Sequence, residues 1–214
     1  VRIVAKVNPP TLHCELRIAK CELFRSPCPR VVEGSETATI GRMHNIYLVG
    51  FMGAGKSSVG RELARQMERT FIDLDGCLED SFGMPIDEVF RTRGEGAFRQ
   101  AERSTLERTA GLHKAVIATG GGAFCDPANR DIIHSGGGCS VFLKVPWSVL
   151  VGRLEADHRG RPKFTGPVAA KHLYDTREPH YEHATCTVVL TGSESPGNVA
   201  EIIVDRVAGV PCGT

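Results

Sequence analysis

The sequence lacks long apolar runs and has almost no net charge. No stretch approaches the roughly 18 uninterrupted apolar residues of a membrane-spanning helix, so we expect no membrane partner. The 26 basic residues are balanced by 25 acidic ones in a chain of 214 residues. This balance leaves no overall field to attract nucleic acid. We therefore expect any anion to bind at a local site in an otherwise ordinary globular chain.

The first thirty residues also lack the apolar segment of a secretion signal, because charges and prolines interrupt every run. We accordingly expect a cytoplasmic protein whose eight cysteines stay reduced. Cys14, Cys21 and Cys28 recur every seven residues, which is not the short spacing of a zinc site.

Residues 1–42 differ in character from the rest of the chain. They contain the segments "NPP", "SPCPR" and "EGSETATIG", which are rich in breaker and turn residues and show no sustained period. We predict a poorly ordered N-terminal extension over residues 1–42 and a folded domain over residues 43–214. We also hypothesise that Met43 is the start of translation, or at least of the part that folds and acts.

From Asn45 onward, short apolar runs alternate with helical stretches. The runs "NIYLVG", "TFIDLD", "AVIATGGG", "CSVFLKV" and "CTVVL" are mostly continuous in apolar character, which is typical of strands covered on both faces. Strands that alternate with helices predict an α/β fold of three layers, in which a five-stranded parallel sheet is flanked by helices.

The segment "GFMGAGKSS", from Gly50 to Ser58, satisfies the phosphate-loop pattern GxxxxGK[ST] between a strand and a helix. Its glycines let backbone N–H groups turn towards an anion, and the following helix N-terminus adds partial positive charge. Lys56 is expected to reach the β and γ phosphates of ATP, and the Ser57 hydroxyl to ligate Mg²⁺. The predicted nucleotide-binding residues of the loop are Gly53, Ala54, Gly55, Lys56, Ser57 and Ser58.

A GTPase switch would also need an Asn-Lys-x-Asp motif to read the base. No asparagine after the loop is followed by lysine, and neither is Asn45. The loop therefore indicates nucleotide binding without the guanine-reading motif of such a switch.

Asp73 and Asp75 lie in the second predicted strand, "TFIDLD". In an extended strand they point the same way, at the carboxyl edge of the sheet and next to the strand that carries the phosphate loop. One carboxylate there could hold Mg²⁺ through water and the other could accept a proton from a substrate hydroxyl. A helix N-cap and a solvated surface aspartate would produce the same spacing.

Two glycine triplets occupy different edges of the predicted sheet. Gly120, Gly121 and Gly122 follow the third strand and lie at the ligand edge, where backbone can approach a substrate closely. Gly136, Gly137 and Gly138 precede the fourth strand at the far edge, so we interpret them as a turn.

The ordered motifs "FIDLD", "GEGAFRQAE", "TGGGAF", "RGRP" and "TREPHY" follow the phosphate loop. With this set, residues 44–210 closely resemble the shikimate kinase family. The resemblance implies a P-loop kinase of the nucleoside-monophosphate-kinase type with a substrate-binding subdomain and a lid over residues 158–172. It further implies transfer of the γ-phosphoryl group of ATP to the 3-hydroxyl of shikimate, in aromatic amino-acid (chorismate) biosynthesis.

The resemblance also implies individual roles. Asp75 would bind the shikimate hydroxyls, Asp73 would hold Mg²⁺ through water, and Arg161 would close on the transferring phosphate. Glu102 would anchor Arg99. The implied substrate-binding residues are Asp75, Phe90, Phe98, Arg99, Gly120, Gly121, Gly122 and Arg177; Arg153 and Pro196 correspond more loosely to the adenine site, and the catalytic set is Lys56, Asp75 and Arg161.

The predicted lid departs from the family pattern, because Lys163 and Phe164 replace the expected leucines. Two alternatives stay open: a P-loop kinase of another hydroxylated metabolite, such as gluconate, and an ATP-binding module without turnover. We expect shikimate and ATP as ligands of a monomer.

Overall fold

The computed structural model describes residues 44–156 and 166–208, and these form a parallel sheet with helices packed around it. The sheet has the strand order β2-β3-β1-β4-β5, and every strand pairing is parallel. The predicted fold class is therefore confirmed. The strands are β1 Ile46–Val49, β2 Thr70–Asp73, β3 Ala115–Ala118, β4 Cys139–Lys144 and β5 Cys186–Val189.

Several predictions concern residues outside the described ranges. They are the poorly ordered extension over residues 1–42, the start at Met43, and the lid residues Arg161, Lys163 and Phe164. Of the predicted lid segment, residues 167–172 belong to a regular helix.

Seven α-helices occur within the described ranges. They are α1 Lys56–Gln66, α2 Leu74–Phe82, α3 Ile86–Ala110, α4 Pro127–Ser135, α5 Trp147–Ala156, α6 Pro167–Tyr181 and α7 Pro196–Ala208.

Helices α2 and α6 are not among the elements predicted from the sequence. In α6 the buried side chains are Ala170, Tyr174, Arg177 and Tyr181, at spacings of four, three and four residues. This is the period of one helix face. Its signal is weak in the sequence because an arginine occupies one apolar position and Pro179 lies inside the helix.

The core lies at the central strands. Every residue of β1 and β3 is buried, whereas the edge strands β2 and β5 are partly exposed. Full burial of the central strands explains their continuous apolar runs, because helices cover both faces of a parallel sheet. No helix within the described ranges is both long enough and apolar enough to cross a membrane.

Helix α3 changes direction at Gly94, whose backbone angles are φ 79° and ψ 165°. These angles are far from helical, and the positive φ favours glycine at this position. The first part of the helix carries Phe90 and packs against α2. The second part carries Arg99 and Glu102 towards the end of β3.

Candidate active site

The phosphate loop joins β1 to α1, as the sequence predicts. Three of its glycines have positive φ angles: 139° at Gly50, 81° at Gly53 and 89° at Gly55. Residues with a Cβ rarely adopt such angles, so the sharp turns depend on glycine. Helix α1 begins directly at Lys56. The loop is thus placed at a helix N-terminus, where backbone N–H groups and the helix dipole favour an anion.

The Lys56 ammonium folds back over the loop. Its Nζ donates hydrogen bonds to the carbonyl oxygens of Gly50 at 2.8 Å and Phe51 at 2.9 Å. The positive charge therefore lies above the first turn of the loop, where the motif expects phosphate. Ser57 is partly exposed on the first turn of α1, in the position that the motif assigns to a metal ligand.

A cavity of about 260 Å³ opens beside the phosphate loop. Arg153 spans it, because Nη1 donates to the Gly53 carbonyl at 3.1 Å and Nη2 to the Gly192 carbonyl at 2.9 Å. The structure thus brings Arg153 and Pro196 to the loop. The lining residues are Gly53, Ala54, Gly55, Ser58, Val59, Arg153, Leu190, Gly192, Glu194, Pro196 and Val199.

Glu194 organises the turn on the far side of this cavity and is not among the site residues predicted from the sequence. Its carboxylate accepts hydrogen bonds from the Thr191 N–H, the Thr191 hydroxyl and the Gly192 N–H, each at 2.8 Å. The backbone donors lower the pKa of Glu194 to about 2. The signal available in the sequence was an acidic side chain two residues after a Thr-Gly pair, which can accept from the backbone of a turn.

The glycine run after β3 is bordered by charged groups of both signs. A Cβ on Gly120 would stand 2.7 Å from Asp75 Oδ1 and 3.0 Å from Glu102 Oε1. A Cβ on Gly122 would stand 2.8 Å from Arg99 Nη2 and 3.2 Å from Arg177 Nη2. The run therefore has carboxylates at one end and guanidinium groups at the other.

The prediction that Asp73 and Asp75 point the same way along one extended strand is wrong. Strand β2 ends at Asp73, and Asp75 lies in the first turn of α2, so strand alternation does not align the two side chains. The chain turns into a helix at Leu74 because Leu74, Cys77 and Leu78 bury one helical face. Asp75 nevertheless reaches Gly120.

The predicted adjacency of β2 to the phosphate-loop strand is also wrong, since β3 lies between β2 and β1. Asp73 occupies the N-cap position of α2 but makes no side-chain capping hydrogen bond. It still lies at the carboxyl end of its strand, at the sheet edge where the phosphate loop begins.

Arg99 is held between two glutamates. Nη1 donates to Glu102 at 2.6 Å and Nη2 donates to Glu95 at 3.1 Å. The predicted contact between Arg99 and Glu102 is therefore present. Burial lowers the pKa of Arg99, but the two glutamates outweigh it and the net pKa is raised.

The Glu102 carboxylate has the opposite balance of effects. Burial raises its pKa, and the charge of Asp75 raises it further, against the lowering effects of Arg99 and Arg177. The net pKa is raised. Glu102 is thus a buried acid for which desolvation exceeds the attraction of two arginines.

Phe90 and Phe98 lie side by side, with ring centroids 4.6 Å apart. The Arg99 guanidinium lies 5.3 Å from the Phe98 ring centroid, within the range of a cation–π contact. Phe98 is buried with Leu78 and Val89, whereas Phe90 is only partly buried. Phe98 therefore supports Arg99 from the core, and Phe90 is the more accessible of the two rings.

Arg177 is 9% exposed and approaches the glycine run from α6. Its Nη1 donates to the Gly121 carbonyl at 3.2 Å. The Tyr181 hydroxyl donates to the same carbonyl, and Tyr181 is not among the site residues predicted from the sequence. Its signal was the spacing of four residues from Arg177, which places both on one helix face.

The chain is similar in sequence to known proteins. A family model described as shikimate kinase matches residues 52–208. A shikimate kinase of Synechococcus sp. (strain RCC307) is 38% identical over 169 residues, which cover 78% of this chain and 85% of that protein.

Solved structures agree with these sequence matches. A shikimate kinase from Acinetobacter baumannii, in complex with shikimate, has a TM-score of 0.71 and 33% identity and covers 78% of this chain and 93% of its own. A deoxyadenosine kinase from M. mycoides shares the fold alone, with a TM-score of 0.55 and 14% identity over 78% of this chain and 100% of that chain.

Proposed function

The chain belongs to the shikimate kinase family, and we propose that it transfers the γ-phosphoryl group of ATP to the 3-hydroxyl of shikimate, giving shikimate 3-phosphate and ADP. The observation that carries this proposal is the glycine run at the end of β3. It has Asp75 and Glu102 at one end, Arg99 and Arg177 at the other, and the phosphate loop next to it. A Cβ on Gly121, in the middle of the run, would stand 3.4 Å from the Met52 N atom of that loop.

The charges of the acceptor side suit shikimate, which has one carboxylate and three hydroxyls. A guanidinium presents a planar fork that matches a carboxylate, which lysine does not. Arg99 and Arg177 would bind the carboxylate of shikimate, and Asp75 would accept from its hydroxyls. Phe90 and Phe98 would line the apolar side, and Gly120 to Gly122 would let the backbone approach the ring.

The donor side suits ATP. Lys56 and the loop N–H groups would bind the phosphates, while Arg153 and Pro196 would flank the adenine in the cavity. The Ser57 hydroxyl and the Asp73 carboxylate are hard oxygen donors, which fit Mg²⁺ with water and phosphate as its other ligands. Bound Mg²⁺ would neutralise phosphate charge during transfer. Arg161 lies outside the described residues, and we propose that it closes on the transferring group.

A coupled assay of ADP release tests the function. The full-length protein is given ATP and Mg²⁺ with shikimate, with gluconate, or with no acceptor. We expect ADP release in the presence of shikimate, but not with gluconate or without an acceptor. ADP with gluconate but not with shikimate would favour a kinase of another metabolite, and no release with either would favour an ATP-binding module.

We also propose that the protein acts as a cytoplasmic monomer. The family is one of small P-loop kinases, and the two halves of the proposed site come from one chain. Light scattering of the purified protein measures the oligomeric state, and a dimer mass would contradict this part of the proposal.

A further inference from the structure

Tyr181 is the last residue of α6 and is completely buried, with a relative exposure of 0%. Its hydroxyl donates a hydrogen bond to the Gly121 carbonyl at 2.5 Å. Its ring packs against Phe142 of β4, with centroids 5.2 Å apart. The ring is therefore fixed against strand β4, and the hydroxyl is fixed against the glycine run.

The same Gly121 carbonyl accepts from Arg177 Nη1 at 3.2 Å. Gly121 also lies against the phosphate loop, since an added Cβ would stand 3.4 Å from Met52 N and 3.8 Å from the Gly50 carbonyl oxygen. Gly121 is thus the point where Tyr181, Arg177 and the phosphate loop meet.

A shared acceptor couples its two donors geometrically. The guanidinium is a rigid planar fork, so the direction of one N–H bond determines where its other donors point. Gly121 has no side chain to restrain its peptide plane, and the Tyr181 hydroxyl supplies such a restraint on the carbonyl.

We propose that Tyr181 is a positioning residue for the acceptor substrate. Through the Gly121 carbonyl, it orients the Arg177 guanidinium towards the carboxylate of shikimate. This inference rests on the proposed function, because it assigns that carboxylate to Arg177. A purely structural Tyr181 would only satisfy its own buried hydroxyl and support the core.

The test compares the wild type with Tyr181→Phe, which removes the hydroxyl and keeps the ring against Phe142. We expect the KM for shikimate to rise roughly fivefold, the factor that one net hydrogen bond represents. The kcat and the KM for ATP should stay close to those of the wild type. Tyr174→Phe is the matched control, since that hydroxyl lies on the same helix but donates to Glu178.

A second substrate separates positioning from general loosening of the site. The primary amide of shikimate lacks the negative charge that Arg177 would bind. The substitution Tyr181→Phe should therefore weaken binding of the amide by less than about twofold. The amide can be measured as an acceptor substrate or as a competitor of shikimate. Equal losses for the acid and the amide would overturn the proposal. An unchanged KM for shikimate would also overturn it, as would an equal rise in the KM for shikimate and the KM for ATP.

The outcome also distinguishes this inference from the proposed function. A wild-type protein that does not phosphorylate shikimate refutes the function, and with it the inference. A wild type that is active while Tyr181→Phe behaves like Tyr174→Phe refutes the inference alone. If Tyr181→Phe unfolds at the assay temperature, calorimetric titration with both ligands in the cold, on protein shown to be folded by circular dichroism, gives the same comparison.

Discussion

Glu102 accepts a 2.6 Å hydrogen bond from Arg99 although its own side chain is only 2% exposed. The pair joins a buried acid to a base whose side chain is 31% exposed, beside the glycine run. The raised pKa of Glu102 means that burial outweighs the two nearby arginines.

The first prediction concerns the stability of Glu102→Gln at different pH values. A carboxyl whose folded pKa is raised favours folding when protonated, and this contribution is lost as the pH rises from its unfolded pKa near 4.5 through the higher folded pKa. We therefore expect the free energy of unfolding of the wild type to fall relative to Glu102→Gln across that window. Urea unfolding of both proteins between roughly pH 4 and pH 8 measures this difference in the free energy of unfolding, because a raised carboxyl pKa affects stability within about that range.

The same variant should bind substrate less well. A charge-assisted hydrogen bond is about twice as strong as a neutral one, so the neutral glutamine holds the Arg99 guanidinium less firmly. We expect the KM for shikimate to rise about tenfold and the KM for ATP to stay unchanged. Glu95→Gln, which removes the more exposed partner of Arg99, should have a smaller effect. A stability difference between the two proteins that does not change with pH, together with normal binding of shikimate by the variant, would contradict both expectations.

The second prediction concerns Gly122→Ala. Its new methyl group would lie 2.8 Å from Arg99 Nη2 and 3.2 Å from Arg177 Nη2, and would displace both guanidinium groups. We expect kcat/KM for shikimate to fall roughly 100-fold, as displacements near 1 Å can do. Steady-state kinetics measure this. Gly152→Ala is the control, because its added Cβ meets nothing within 4 Å; similar losses in both variants would argue against the crowding mechanism.

The third prediction separates the donor side from the acceptor side. Lys56→Ala should lower kcat by about 100- to 1,000-fold, the range seen when a group that stabilises a transition state is removed. Arg99→Ala should mainly raise the KM for shikimate. Initial rates with each substrate varied in turn decide this. The assigned roles are wrong if the two variants change kcat and KM in the same proportions.

The fourth prediction concerns Glu194→Gln. The glutamine amide oxygen accepts hydrogen bonds from the 191–194 turn more weakly than the Glu194 carboxylate does. This turn places the Gly192 carbonyl where it accepts a hydrogen bond from Arg153. We expect the KM for ATP to rise roughly fivefold with no change in the KM for shikimate. Glu201→Gln, on the exposed surface of α7, is the control. A rise in the KM for shikimate alone would place Glu194 in a different role.

Several features of the site could be predicted from the sequence because they depend on local chemistry. The phosphate loop is one, since its glycine positions and the start of the following helix are contained in nine consecutive residues. The parallel sheet is another, because its apolar runs reflect burial on both faces. Residue types such as the arginines of "AFRQAE" and "TREPHY" could be matched to roles only through the family resemblance.

The arrangement around the glycine run was decided by the tertiary structure. Asp75 reaches Gly120 from helix α2, which was not predicted from the sequence. Strand β3 separates β2, the strand that precedes α2, from β1, which carries the phosphate loop. Tyr181 and Arg177 meet at Gly121, although they lie 60 and 56 residues further along the chain. Local sequence determines backbone conformation through sterics and hydrogen bonding, whereas these contacts depend on strand order and helix packing, which bring distant residues to one sheet edge.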